Sequence, residues 1–197
     1  MRHEENIKEV AAIGIDYMGF IFFEGSSRNV TASIPKLSSG QKSVGVFVNA
    51  SFDTIVEKIN THNLQVVQLH GEETPKFCKS LQALNTTVIK VFSIKNEFNF
   101  DILAPYESVC DFYLFDTKGP LLGGNGFCFD WSILDKYPFS KPYFLSGGIG
   151  IKDISQLQEF KKSTAATYCY GVDVNSKFEL APAKKDKKKL EKFKQLL

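Results

Sequence analysis

Two short stretches carry the residue types that could bind an anion: YFLSGGIG at 143–150 and CYGVDVNS at 169–176. Each is an apolar, β-prone run that stops abruptly in small or polar residues and is followed by a helix-like segment, the pattern of strand, turn and helix. Gly147, Gly148 and Gly150 let a backbone approach a ligand with no Cβ in the way, and a helix behind them would aim unpaired N–H groups at a phosphate. Glycines alone make a tight turn equally well. What favours the cradle is that two such units come in succession, since loops after the last two strands of a (β/α)8 barrel often take this role.

Other polar residues also follow apolar runs. Arg28 comes after YMGFIFF (17–23), Asn49 after VGVFV (44–48) and His70 after QVVQL (65–69); Asp116 closes FYLFD (112–116), and Ser146 and Asp173 close the last two runs. In a barrel these positions share one rim. An arginine, a histidine, two carboxylates and a phosphate loop on one rim describe a site for a small phosphorylated acid. Asp116 is the candidate for chemistry, because desolvation at the mouth of an apolar strand raises a carboxyl pKa and suits it to general acid work. Each residue also has a plainer role: a solvated loop charge for Arg28, a turn or helix cap for His70, a buried support for Asp173.

The elements that must position these residues alternate along the chain. A helix over Glu4–Ile13, stopped by Gly14, precedes the first run, and a weak helical stretch is expected at 33–41. A helix capped by Ser51 follows the second strand. Then come a helix at 74–84 with Pro75 in its first turn, a strand at 87–92, a poor helix at 97–105, the strand at 112–116 and the Gly-rich loop TKGPLLGGNG at 117–126. A helical stretch near FDWSILDKY and helices at 151–161 and 185–196 complete the order. Repeated βα units mean a parallel sheet covered by helices, within one domain spanning 1–197. About eight helical segments face only about seven strands, and a helix comes first. Either a strand escapes detection, or the sheet is open and doubly wound, or a (β/α)8 barrel is short of its first strand.

The 197 residues, 43% hydrophobic and 23% charged, suffice for a sizeable core, and a net charge of +2 argues against a nucleic-acid partner. Within the Lys-rich end KKDKKKLEKFK, Leu190 and Phe193 fall at helical spacing, which reads as a helix with a solvated basic face. Cys78, Cys110, Cys128 and Cys169 are scattered, with neither a disulfide framework nor a metal set, and suit a reducing cytoplasm. No run reaches the roughly 20 apolar residues that span a bilayer, and no signal peptide is seen.

Six motifs together resemble one family, phosphoribosylanthranilate isomerase: GFIFFEGSSRNV (19–30), KSVGVFVN (42–49), VVQLHGEE (66–73), LFDTKGPLLGGNGFCFDW (114–131), FLSGGI (144–149) and GVDVNS (171–176). The resemblance covers essentially the whole chain. It implies a (β/α)8 barrel that performs, without cofactor or metal, the Amadori rearrangement of N-(5-phosphoribosyl)anthranilate in tryptophan biosynthesis. By the same resemblance Asp116 is the general acid, Arg28 holds the anthranilate carboxylate, Gly147, Gly148, Asn175 and Ser176 hold the phosphate, His70 and Asp173 lie near the substrate, and the loop from Lys118 to Gly126 covers it. Family members open with a strand ending in Cys-Gly whose cysteine is the general base, and this sequence starts just after that point. The resemblance therefore implies a barrel without its first strand, impaired in catalysis and prone to form a homodimer through the open seam. Rival expectations are another phosphate-binding barrel enzyme, such as indole-glycerol-phosphate synthase or a pentose-phosphate epimerase, and a non-catalytic phosphosugar binder.

Overall fold

In this computed structural model, which describes all residues except 39 and 118–127, seven parallel strands form one sheet in sequence order. They are β1 (Tyr17–Ile21), β2 (Lys42–Phe47), β3 (Val66–Leu69), β4 (Thr87–Ile94), β5 (Phe112–Thr117), β6 (Tyr143–Leu145) and β7 (Cys169–Val172). Helices α1 (Glu4–Ala11), α2 (Phe52–His62), α3 (Pro75–Gln82), α4 (Ile154–Phe160) and α5 (Lys187–Leu196) lie between or beyond them, with 3₁₀ segments at Phe100–Tyr106 and Trp131–Lys136 where the sequence suggested weak helices. Parallel neighbours in strict sequence order curl the sheet into a barrel with one side open, β1 and β7 forming its free edges.

Strand alternation separates two apolar layers. Val44, Val46, Val66, Ile89, Val91, Leu114 and Phe144 point into the barrel, while Phe47, Val67, Leu69, Val88, Tyr113 and Leu145 pack outward under the helices. The inner layer is closed at the N-terminal end of the strands by aromatic rings: Phe112 lies 5.4 Å from Phe144 and 4.8 Å from Tyr170, and Tyr17 lies 5.3 Å from Phe144. With the bottom filled, a ligand has only the opposite rim.

Local signals explain most boundaries. Ser51 Oγ accepts from Thr54 N at 3.1 Å and caps α2, and Thr74 does the same for α3 ahead of Pro75. Gly14, at φ +75°, ends the first helical segment, its N–H bonding to Ala11 O. The weak helix expected at 33–41 is absent among the described residues, where Pro35 removes a donor and 33–38 form no regular structure.

The open side of the barrel lies between β1 and β7. Gly19 on β1 and Tyr170 on β7 are exposed, and among the described residues the two edges share no backbone hydrogen bond and meet through side chains, the hydroxyls of Tyr17 and Tyr170 standing 3.4 Å apart. Met18 and Phe20 on β1 are buried, while Tyr170 is 55% exposed, so the apolar side chain uncovered at the seam belongs to β7. The Met1 nitrogen donates to Gly19 O at 3.0 Å, placing the chain entry beside that edge.

Candidate active site

Register brings the polar rim together. Phe115 pairs with Leu145 and Leu145 with Val172, so the residues that follow, Asp116, Ser146 and Asp173, stand side by side on three adjacent strands. Asp116 continues the inward alternation of Phe112 and Leu114, and Ser146 continues that of Phe144, so both point over the filled interior. His70 Nε2 reaches Asp116 Oδ2 at 3.3 Å, and Ser146 Oγ donates to Asp173 Oδ2 at 2.9 Å. Burial pushes the Asp173 carboxyl upward, Ser146 opposes this, and the nearby negative charge of Asp116 adds to it. Two carboxylates in different surroundings can divide proton donation and hydrogen bonding between them.

Thr117 joins the acid to the glycine turn. Its N–H donates to Asp116 Oδ1 at 2.9 Å and its hydroxyl to Gly147 O at 3.3 Å. Gly147 has φ +96°, and a Cβ there would lie 2.4 Å from Thr117 N, so only glycine allows this approach. The second turn sits against the first: a Cβ on Gly150 would be 3.3 Å from Lys177 Cβ. Among the described residues the amides of Gly147, Gly148, Asn175 and Ser176 have no acceptor, which is the condition of an anion cradle.

The helices expected to aim into this cradle are not built that way. Gly150 N–H is taken by Asp153 Oδ2 at 2.8 Å, and Asn175 leads into a three-residue 3₁₀ turn, Ser176–Phe178, followed by the hairpin β8 (Glu179–Ala181) and β9 (Lys184–Lys185). The turns themselves supply the donors. A cleft of about 370 Å³ opens beside Gly148, lined also by Cys128 and Lys152. The covering loop expected from Lys118 to Gly126 lies outside the described residues.

Arg28 follows β1 in a loop whose base is closed by Val30 N bonding to Ile21 O at 2.8 Å. Its guanidinium is not a solvated charge. Nε lies 3.0 Å from both Glu179 oxygens and Nη2 lies 2.6 Å from Oε2, while Lys185 Nζ stands 3.2 Å from Glu179 Oε1. Lys185 also donates to Asn175 O at 3.0 Å and to its side-chain oxygen. Sequence reasoning missed Glu179 and Lys185, since Lys185 sits in a lysine run that reads as a solvated helix. In fact α5 begins only at Lys187, capped by Asp186, and Lys185 is buried in β9.

A second buried pair shapes the rim below His70. Lys90 Nζ bonds to Glu73 Oε2 at 3.1 Å and to Gly71 O at 2.7 Å, and Glu73 accepts from the N–H groups of Gly71 and Asn49. Asn49 is therefore a turn residue: at φ +51° it accepts from Glu72 N through Oδ1 at 2.7 Å. Among the described residues no cluster of His, Cys, Asp and Glu is arranged to hold a metal.

A curled parallel α/β sheet with its polar residues gathered at the C-terminal ends of the strands defines a (β/α)8-type barrel enzyme, incomplete at one seam. Residues 1–196 match the model of the N-(5′-phosphoribosyl)anthranilate isomerase family, and the chain belongs to that family. The isomerase of Phocaeicola vulgatus is 44% identical over 94% of this chain and 89% of its own, and that of Parabacteroides distasonis 40% identical over 98% and 88%. The crystal structure of the Thermotoga maritima isomerase superposes with a TM-score of 0.83 at 29% identity, covering 100% of this chain and 94% of that one. A further isomerase structure, in complex with reduced 1-(o-carboxyphenylamino)-1-deoxyribulose 5-phosphate, matches at 27% identity and TM-score 0.78, over 98% of this chain and 92% of that one.

Proposed function

We propose that this rim binds N-(5′-phosphoribosyl)anthranilate and opens its ribose ring, with the residues divided as follows. The four free amides at Gly147, Gly148, Asn175 and Ser176 take the phosphate. Arg28 takes the anthranilate carboxylate, for which a guanidinium fork is well shaped. Asp116 gives its proton to the ring oxygen; the C1–O bond breaks as the anilino nitrogen lone pair forms the C1=N bond of a Schiff base. His70, 3.3 Å from Asp116, orients that carboxyl, and Asp173 accepts a hydrogen bond from a sugar hydroxyl. The observation that carries this reading is the alignment of Asp116 with the Gly147 turn through Thr117, which sets the proton donor at a fixed place beside the anion cradle.

Loss of the C2 proton then converts the Schiff base to an enolamine that tautomerises to the ketone. The base for this step is not evident among the described residues: Cys78 is in α3, Cys110 precedes β5, and burial pushes Cys128 and Cys169 up to about 11, leaving both protonated near neutral pH. We read residues 1–197 as one barrel domain that handles a phosphorylated small molecule, whose seam pairs with a second copy. Its four free thiols suit a reducing cytoplasm. Calorimetric titration of the reduced product analogue tests the assignment. The parent should bind it, Asp116→Asn should bind it within a few-fold, and Asp116→Asn should lower any turnover of the substrate by about 10²- to 10⁴-fold. A parent that ignores the analogue would end this reading.

A further inference from the structure

The Arg28 guanidinium presents two hydrogen-bonding edges, one formed by Nε and Nη2 and the other by Nη1 and Nη2. Glu179 occupies the first as a fork, at 3.0 Å from Nε and 2.6 Å from Nη2. Among the described residues nothing occupies the second. Glu179 is itself held from the other side by Lys185, whose remaining bonds run to Asn175 in the turn after β7. The Glu179 and Lys185 side chains are 5% and 9% exposed and that of Arg28 is 18% exposed, so these three charges meet at a poorly solvated point and lock one another's rotamers. Two cations around one carboxylate leave a surplus positive charge. Burial pushes Lys185 down, as expected for a cation short of solvent, while the Arg28 and Lys185 charges outweigh burial and hold Glu179 below its ordinary value.

We infer that Glu179 is a positioning residue for substrate recognition: it pins one edge of Arg28 so that the Nη1–Nη2 edge stands ready for the aryl carboxylate, with Lys185 linking this fork to the phosphate turn at Asn175. This rests on the assignment of Arg28 to the carboxylate. A guanidinium held by an opposing fork loses less freedom on binding than one free to rotate, and such preorganisation appears as affinity for the carboxylate alone. A strut that merely stabilised the fold would weaken all ligands alike.

The test compares two ligands on the full 197-residue chain: the reduced product analogue, and the same compound without its ring carboxylate. The parent should prefer the first. Glu179→Gln should weaken the carboxylate-bearing ligand by about tenfold or more and the other by less than about twofold, and in an Arg28→Ala background Glu179→Gln should change neither. Should Glu179→Gln fail to fold by circular dichroism, Glu179→Asp, which draws the fork back by one methylene, should show the same selective loss. Equal weakening of both ligands, or no weakening, overturns the inference while leaving the Arg28 assignment standing. A parent that binds both ligands equally well removes Arg28 from the carboxylate and the inference with it.

Discussion

The side chains at the rim differ in what protonation does to them, and that difference is measurable. Burial raises the Asp173 carboxyl above its unfolded value, so the folded state holds that proton over a pH range in which the unfolded chain has released it. Its contribution to stability therefore falls as pH rises, from the ordinary carboxylate range, about 3.9, up to the raised value. Glu179 runs the other way: its value is held down, so its contribution is complete above the ordinary carboxylate range and is lost as pH falls through the depressed value. Asp173→Asn should thus be more stable than the parent at pH 7, with the gap closing towards pH 4, while binding the reduced product analogue less tightly. Urea denaturation at several pH values checks this; a variant less stable than the parent at neutral pH would show that the charged Asp173 is fully compensated. Such a trade of stability for function is common where a carboxylate is kept in a dry site.

At the scale of elements, strand positions were legible in the sequence because parallel strands buried on both faces appear as dense apolar runs, and all seven begin within two residues of where the pattern placed them, Lys42 of β2 included. Asp116, His70, Ser146 and Asp173 were legible for the same reason: a residue just past such a run must lie on the rim. The hairpin of β8 and β9 was not. Its strands are three and two residues long, too short for a period, and its buried lysine looks like its exposed neighbours. Lys90 was equally hidden inside the strand run TVIKVF. Its salt bridge with Glu73, both side chains 3% exposed, ties β4 to the loops after β2 and β3 that shape the rim near His70. Breaking one partner of a buried pair strands the other charge, so Lys90→Met should cost about 3–5 kcal/mol. A loss under about 1 kcal/mol in chemical denaturation, the range of an exposed pair, would mean that water reaches Glu73.

For the molecule as a whole, the seam governs behaviour. Central strands of a barrel have both edges paired with strands, but β1 and β7 are not paired with each other: on β1 Gly19 O and Ile21 O accept from Met1 N and Val30 N, and among the described residues the gap is spanned by the contact of Tyr17 with Tyr170. Unpaired N–H and C=O groups on an edge favour pairing with another strand, and Tyr170, on the uncovered edge of β7, is exposed at the end of the strands opposite the rim. The 197-residue chain should associate with itself in a concentration-dependent way, measured by light scattering or sedimentation. A strand ending in Cys-Gly supplied ahead of Met1 should compete for the same edges, so the extended protein should be monomeric at concentrations where the parent is not. It should also gain turnover of about 10²- to 10⁴-fold if its thiol reaches C2 of the opened sugar. A monodisperse parent whose turnover equals that of the extended protein would show that the seam is already closed and that the proton acceptor lies elsewhere among these residues.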